Sequence, residues 1–281
     1  MGTANSVTIH VPGQIILSGE LGVEQGFPAF IAAVDQYVQF SLEISGKECS
    51  VSAKHPTIIC GTGYNEAVTV GKIMMLNTLY ELDMSSSVIA SYAHVIEKEH
   101  NRNALGLRTT TSSIGGFIWY RQEFDFLKNI WQIPMKIPKS LDHFYLIEIK
   151  PDNKKPINII PRHVSKEKDY QSLYSIEQQT KKLLRGIRGE SQRDVKSAFM
   201  ETQRLIENFV IVSTEAATAI AAIEQSGGAA ELIGFECEHE YPHMLLCYHP
   251  SNFTLEKVID RATMHIIPVK LGADGAYVKT P

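Results

Sequence analysis

Apolar and polar residues alternate from Val7 to Val11, with Thr8 and His10 between the apolar positions. This is the two-residue period of a half-buried strand. Pro12-Gly13 reads as a turn, and Ile15-Ile16-Leu17 as a second short strand. A glycine-punctuated loop follows from Ser18 to Ala29. Val38, Phe40, Leu42 and Ile44 then alternate with Gln39, Ser41 and Glu43, another half-buried strand. Ile73, Leu76, Leu79, Tyr80 and Leu82 mark one face of a helix. Ser85 to Ser87 offer an N-cap for a second helix, with Val88, Ile89, Tyr92, Val95 and Ile96 at helical spacing. Phe117 to Tyr120 is a strand after two glycines. Residues 122–142, with Pro134 and Pro138, read as a linker.

Beyond the linker, Phe144 to Ile149 is an apolar run interrupted by Glu148 and reads as a central strand. Pro151 to Arg162 is a loop. Residues 172–188 and 194–225 are helical, with a break expected near Ser213-Thr214 and an end at Gly227-Gly228. Ala229 to Gly234 and His243 to Tyr248 read as partner strands. Asn252 or Thr254 caps a helix that turns Leu255, Val258 and Ile259 inward. Ile266 to Leu271 is the last strand. Helix–strand–strand–helix–strand order suits a second α+β domain.

Three polar stretches interrupt this pattern. The first is Pro12 to Ala29, which contains Gln14 and Glu20. The second is Ile59 to Val68, where Gly61, Thr62, Gly63, Tyr64, Asn65 and Glu66 precede a helix. A glycine-rich turn opening a helix is a phosphate cradle, because free backbone N–H groups and the helix dipole favour an anion. Glu66 in the first turn can satisfy that helix end itself, and would repel a triphosphate. An ordinary Asn-capped helix is the alternative. The third stretch is Glu97 to Gly116. Glu97 falls near a helix end, and Thr109 to Ser113 lead polar chain toward a buried strand. Turn and cap hydrogen bonds are the plain reading of those residues, and a solvated loop carboxylate is that of Glu20.

The three stretches together resemble the GHMP small-molecule kinases. Pro12-Gly13-x-Ile15-x-Leu17-x-Gly19-Glu20-x-x-Val23-x-x-Gly26-x-Pro28-Ala29 is similar to P-G-K-V-I-L-x-G-E-H-A-V-V-Y-G-x-P-A. Glu97, Asn103, Gly106, Ser112, Gly115 and Gly116 fall in the register of E-x(5)-N-P-S-G-I-D-N-x-x-S-x-x-G-G. The resemblance implies a two-domain α+β fold. Residues 1–142 would form an N-terminal ribosomal-protein-S5-like α/β domain and 143–281 a ferredoxin-like domain, with a cleft between them. It implies ATP and magnesium as cofactors, Glu97 as magnesium ligand, and a catalytic base at the position of Arg108.

The chain departs from the family at its working residues. The family Lys is Gln14, the His is Leu21 and the catalytic Asp is Arg108. Gln14 is neutral and cannot favour an alkoxide, and a guanidinium stays protonated and cannot act as a base. The family loop G-x-G-[LY]-G-S-S-A-A is shortened at Gly61 to Ala67 and lacks both serines. The chain between Ile44 and Cys60 is short, so an N-terminal subdomain element is expected to be missing. Of the third family motif, K-x-[ST]-G-A-G-G-G-G, Gly234 alone is kept in Glu231 to Glu238. The pair Gln14 and Arg108 carries one positive charge where the family pair is neutral. Arg108 is therefore expected within about 4 Å of Glu20 or Glu97, the reach of an ion pair, or facing the cleft, with a surface arginine pointing to solvent as the plain alternative.

Composition narrows the partners. With 281 residues, 44% hydrophobic and 21% charged, the chain is of ordinary globular character. A formal net charge of −4 gives no reason to expect nucleic acid or an anionic membrane. No apolar run approaches the roughly 18–20 residues that span a bilayer. The first residues lack a secretory signal, although Met-Gly-x-x-x-Ser fits the loose myristoylation signature. Four cysteines are too few for a disulfide scaffold, so a reducing cytoplasm is expected. Cys237, His239, His243, Cys247 and His249 lie within thirteen residues, but without knuckle spacing, and alignment along strands competes with zinc.

Three functions are compatible with the chain. One is a kinase-like protein of GHMP ancestry with little or no turnover, binding a small-molecule substrate or anionic ligand. The second is a working ATP-dependent small-molecule kinase that uses other residues. The third is a metal-binding or structural interaction protein. A homodimer is open in each.

Overall fold

A computed structural model describes residues 5–45, 48–55, 62–102, 104–124, 127–149, 167–210, 212–234, 243–260 and 263–279. The first sheet contains β1 (Asn5–Ser18), β2 (Ala29–Ser45), β3 (Glu48–Lys54), β4 (Phe117–Phe124), β5 (Leu127–Ile133) and β10 (Tyr277–Lys279). Its order is β10-β1-β2-β4-β5, with β3 also paired to β2, and every pairing is antiparallel. Three helices belong to this half: α1 (Tyr64–Leu79), α2 (Ser86–His100) and α3 (Leu107–Ile114).

The expected turn at Pro12-Gly13 is a correction. β1 runs through it, with register shifts at Pro12/Gly13 and Ile16/Ser18. A bulge keeps the ladder going while re-aiming the side chains. Before it, Ile9 and Val11 pack with Val38, Phe40 and the buried face of α1 and α2. After it, Ile15 and Leu17 join Phe30, Ala32 and Phe117 in a different core. The supposed linker is also corrected, because Leu127–Ile133 within it is a strand paired along β4. Its alternation was obscured by exposure, since it is an edge strand with Leu127, Ile130 and Trp131 in solvent.

The second sheet contains β6 (Phe144–Ile149), β7 (Ala229–Ile233), β8 (His243–Tyr248) and β9 (Met264–Val269), in the order β7-β8-β6-β9. With α4 (Glu167–Arg188), α5 (Gln192–Ile206), α6 (Thr214–Gln225) and α7 (Asn252–Val258), the connectivity is ferredoxin-like. Phe144 and Leu146 pack with Leu183, Ile187 and Phe199 of α4 and α5. Tyr145, Ile147 and Ile149 pack with Ala216, Ile220, Ile223 and Leu255 of α6 and α7. Both faces are covered, which is why Phe144 to Ile147 of β6 are apolar without alternation. The helical break is where the sequence puts it, with Ser213 accepting a hydrogen bond from the Ala216 amide. The last helix is capped by Ser251, not by Asn252 or Thr254.

The two halves share a core. Ile15, Leu17, Phe30 and Phe117 of the first sheet are continuous with Phe144, Leu146, Phe199 and Leu246 of the second. The tail then returns. β10 pairs with β1 at Thr8 to His10, so the strand expected to be last, Ile266 to Leu271, is followed by one more. Pro151 to Arg162 lies outside the described residues.

Candidate functional site

The polar stretch Thr109 to Ser113 is a buried helix, α3, and not the turn expected of it. Each hydroxyl has a hydrogen-bond partner, which is what allows so polar a segment inside. Thr109 and Thr110 donate to the Gly106 carbonyl at 3.2 and 2.6 Å, and Thr111 to the Leu107 carbonyl at 2.9 Å. Ser112 donates to the Pro12 carbonyl at 2.9 Å, tying α3 to the β1 bulge. Gly106 starts the helix with φ 71°, and a Cβ there would meet the His94 ring at 2.6 Å.

Arg108, on the first turn of α3, reaches the turn after β1. Its Nη2 lies 3.1 Å from Glu20 Oε1, with both side chains under a tenth exposed. The other Glu20 oxygen, Oε2, accepts a hydrogen bond from the Gly234 amide at 3.1 Å. Positions 88 and 214 residues apart from Glu20 thus meet on one carboxylate. The expected Arg108 ion pair is formed, and Glu20 is its partner.

Beside this pair lies a buried acid that motif reading passed over. Glu231 is 1% exposed, and its Oε2 has no hydrogen-bond partner. With Ser18, Glu20 and Thr202 it lines a cavity of about 10 Å³, room for about one water. Burial first, then the Glu20 charge, pushes its carboxyl well above the usual range.

Gln14 is fully buried on the other side of the β1 bulge. Its amide nitrogen donates to the Thr62 carbonyl at 2.9 Å, and its Nε2 to the Gly63 carbonyl at 3.3 Å. Gly63 has φ 58° and is the N-cap of α1, so Asn65 does not cap this helix. A Cβ on Gly63 would meet Gln14 Nε2 at 1.8 Å. The Gln14 amide therefore covers the turn where a phosphate cradle was expected. Tyr64 donates to or accepts from His55 Nδ1, Asn65 is exposed, and Glu66 stands in the first turn of α1. Gly61 and Asn103 lie outside the described residues.

Glu97 is held by the Thr109 hydroxyl at 3.3 Å and lies 3.6 Å from His94 Nδ1. His94 Nε2 is 2.6 Å from Lys128 Nζ, which also donates to the Leu105 carbonyl at 2.6 Å. Burial, then the charge of Lys98, lowers the Lys128 amine to about 8, against an opposing pull from Glu97. A protonated Lys128 puts the His94 proton on Nδ1, toward Glu97. Lys128 escaped the sequence reading because it lies in the supposed linker.

Of the Cys/His cluster, where zinc was the less favoured reading, Cys237 and His239 lie outside the described residues. Cys247 is a buried thiol on β8, and His249 is bonded to Ser226 and to the Ser251 amide. Among the described residues no group of three or more His, Cys, Asp or Glu side chains is placed to hold a metal. Among them too, no helix is long and apolar enough to cross a membrane.

The shape of the whole chain has close parallels. It superposes on the mevalonate kinase of Methanococcus jannaschii with a TM-score of 0.73 and 16% identity, covering 96% of this chain and 99% of that one. On the L. major mevalonate kinase solved with R-mevalonate the TM-score is 0.75 at 14% identity, over 98% and 97% of the two chains. The fold is that of the GHMP small-molecule kinases. In sequence, the chain is 31% identical over 105 residues to the mevalonate kinase of Pyrococcus abyssi. That match spans 34% of this chain and 31% of the relative, about a third of each. No protein-family model matches the chain. On the GHMP frame, Glu20, Arg108 and Gly234 meet at the junction of the two halves, and Gln14 covers the turn before α1.

Proposed function

We propose that this chain is a mevalonate-kinase-like protein of the GHMP type whose phosphoryl-transfer chemistry is lost or much reduced. The ancestral activity is ATP-dependent phosphorylation of a small-molecule hydroxyl. The observation that carries the reading is the buried Arg108–Glu20 pair, closed at 3.1 Å where the resemblance expects a base. A guanidinium cannot accept the substrate proton, and loss of a general base alone slows a reaction by roughly 10²–10⁴-fold.

The residues do not fit a magnesium–nucleotide complex. The Gln14 amide occupies the face of Gly63 that a phosphate would need. Glu66 brings a carboxylate to the first turn of α1. Glu97, the implied metal ligand, is engaged by Thr109.

Calorimetric titration with ATP·Mg tests the reading. Binding weaker than micromolar is expected, improving when Glu66 is neutralised and the family loop restored. Micromolar binding by the wild-type chain would contradict it. Arg108→Asp alone is expected to leave phosphotransfer absent, since Gln14 and the loop stay altered.

A further inference from the structure

The small cavity beside Glu20 draws its polar walls from both halves of the chain. Ser18 ends β1, Glu20 stands in the turn after it, Thr202 is on α5 and Glu231 on β7. Glu231 Oε2 is buried there without a hydrogen-bond partner. The nearby serine cannot supply one. Ser18 Oγ lies 2.8 Å from Thr180 Oγ1. Thr180 donates its one hydroxyl proton to the Ile176 carbonyl at 2.9 Å. Ser18 is therefore the donor in its pair with Thr180, and it presents only lone pairs to its other neighbours. The Gly234 amide and the Arg108 guanidinium are both engaged on Glu20. When Glu231 is ionised, these three side chains carry two negative charges and one positive. A buried carboxylate in such a place takes either a proton or a cation.

We propose that this cavity is a monovalent-cation site, in which sodium or potassium is held by Glu231, Ser18, Thr202 and Glu20 and ties the two halves of the chain together. The ligands are all hard oxygens, which suits an alkali cation. No His or Cys lines the cavity, as a zinc site would require. Its volume of about 10 Å³ holds about one water, and so one ion stripped of most of its hydration. Calcium takes about six to eight oxygens and magnesium keeps several waters, and neither set fits that space. The cation replaces the proton that the Glu231 carboxyl otherwise holds, so cation and proton compete for one position. The site does not depend on whether phosphotransfer is lost.

Thermal unfolding of the full chain at pH 8, in the chlorides of sodium, potassium and choline at equal ionic strength, tests the proposal. Choline is too large for the cavity and serves as the reference. Sodium or potassium is expected to raise Tm saturably, with the unfolding constant falling about tenfold when the cation reaches about ten times its dissociation constant. Glu231→Gln keeps the shape, removes the charge and is expected to abolish the gain. In choline it is expected to be the more stable chain, and sodium or potassium to narrow that difference. Glu215→Gln, at an exposed position on α6, is expected to keep the gain. The sodium NMR line is expected to be broader with wild type than with Glu231→Gln. Equal Tm in the three salts overturns the proposal and leaves a protonated acid beside a water. So does a gain that Glu231→Gln retains, or a sodium line equally broad with both proteins.

Discussion

Arg108 shows how a single residue settles the character of a site. Its guanidinium is buried against Glu20, so removing it strands a carboxylate that has little access to water. Arg108→Ala is expected to destabilise the fold by roughly 3–5 kcal/mol in a urea titration, the cost of breaking a buried pair. A loss under about 1 kcal/mol would mean that the pair is not structural. Glu231 gives a second expectation, in the pH dependence of stability. Burial and Glu20 raise its pKa above the ordinary 4.5, so the folded chain holds a proton that the unfolded chain has released. Stability from this site is complete below about pH 4.5 and falls as the pH rises toward the folded pKa. Glu231→Gln, which imitates the protonated acid, is expected to gain stability relative to wild type between pH 5 and 8. Parallel stability curves would contradict the assignment.

At the scale of elements, the junction of β1, the turn at Thr62-Gly63 and α1 is held by one amide. Gly63→Ala is expected to cost about 2 kcal/mol or more, from its left-handed backbone and the Gln14 contact. In a Gln14→Ala background the same change is expected to cost markedly less, because the obstructing amide is gone. Equal costs in the two backgrounds would place the Gln14 side chain elsewhere. The same junction shows what sequence could and could not tell. Glu20, Arg108 and Gly234 were legible because their neighbours fixed a register, but charge left Glu20 and Glu97 both open as the partner of Arg108, and only the fold selects Glu20. The role of Gln14 was half legible. Its missing charge was plain, but its packing over Gly63 depends on the β1 bulge, and a bulge reads as a turn when Pro-Gly interrupts alternation. α3 was read as turn because its residues are polar, and its burial rests on partners such as the Pro12 carbonyl, 100 residues away. On α1 and α2 the apolar stripe was found, but its larger side chains face outward. Helical period identifies a face and not which way it looks.

The whole molecule is tied together by the core that runs from Ile15 and Phe30 to Phe144 and Phe199, and by β10 returning to β1. Continuous burial across both sheets predicts one cooperative unfolding transition. Trp119 and Trp131, the only two tryptophans, report the first sheet, and far-UV circular dichroism is dominated by helices, of which α4 to α7 pack on the second. The two signals are expected to share one midpoint in guanidinium. Separate midpoints would mean that the halves unfold independently.

The central claim concerns chemistry, and steady-state phosphotransfer from ATP·Mg to mevalonate tests it most directly. The buried Arg108–Glu20 pair and the Gln14-covered turn predict turnover at saturating substrates that is absent or at least roughly 10²-fold below the ordinary kinase range. A rate in the ordinary kinase range of about 1–100 per second would contradict the account.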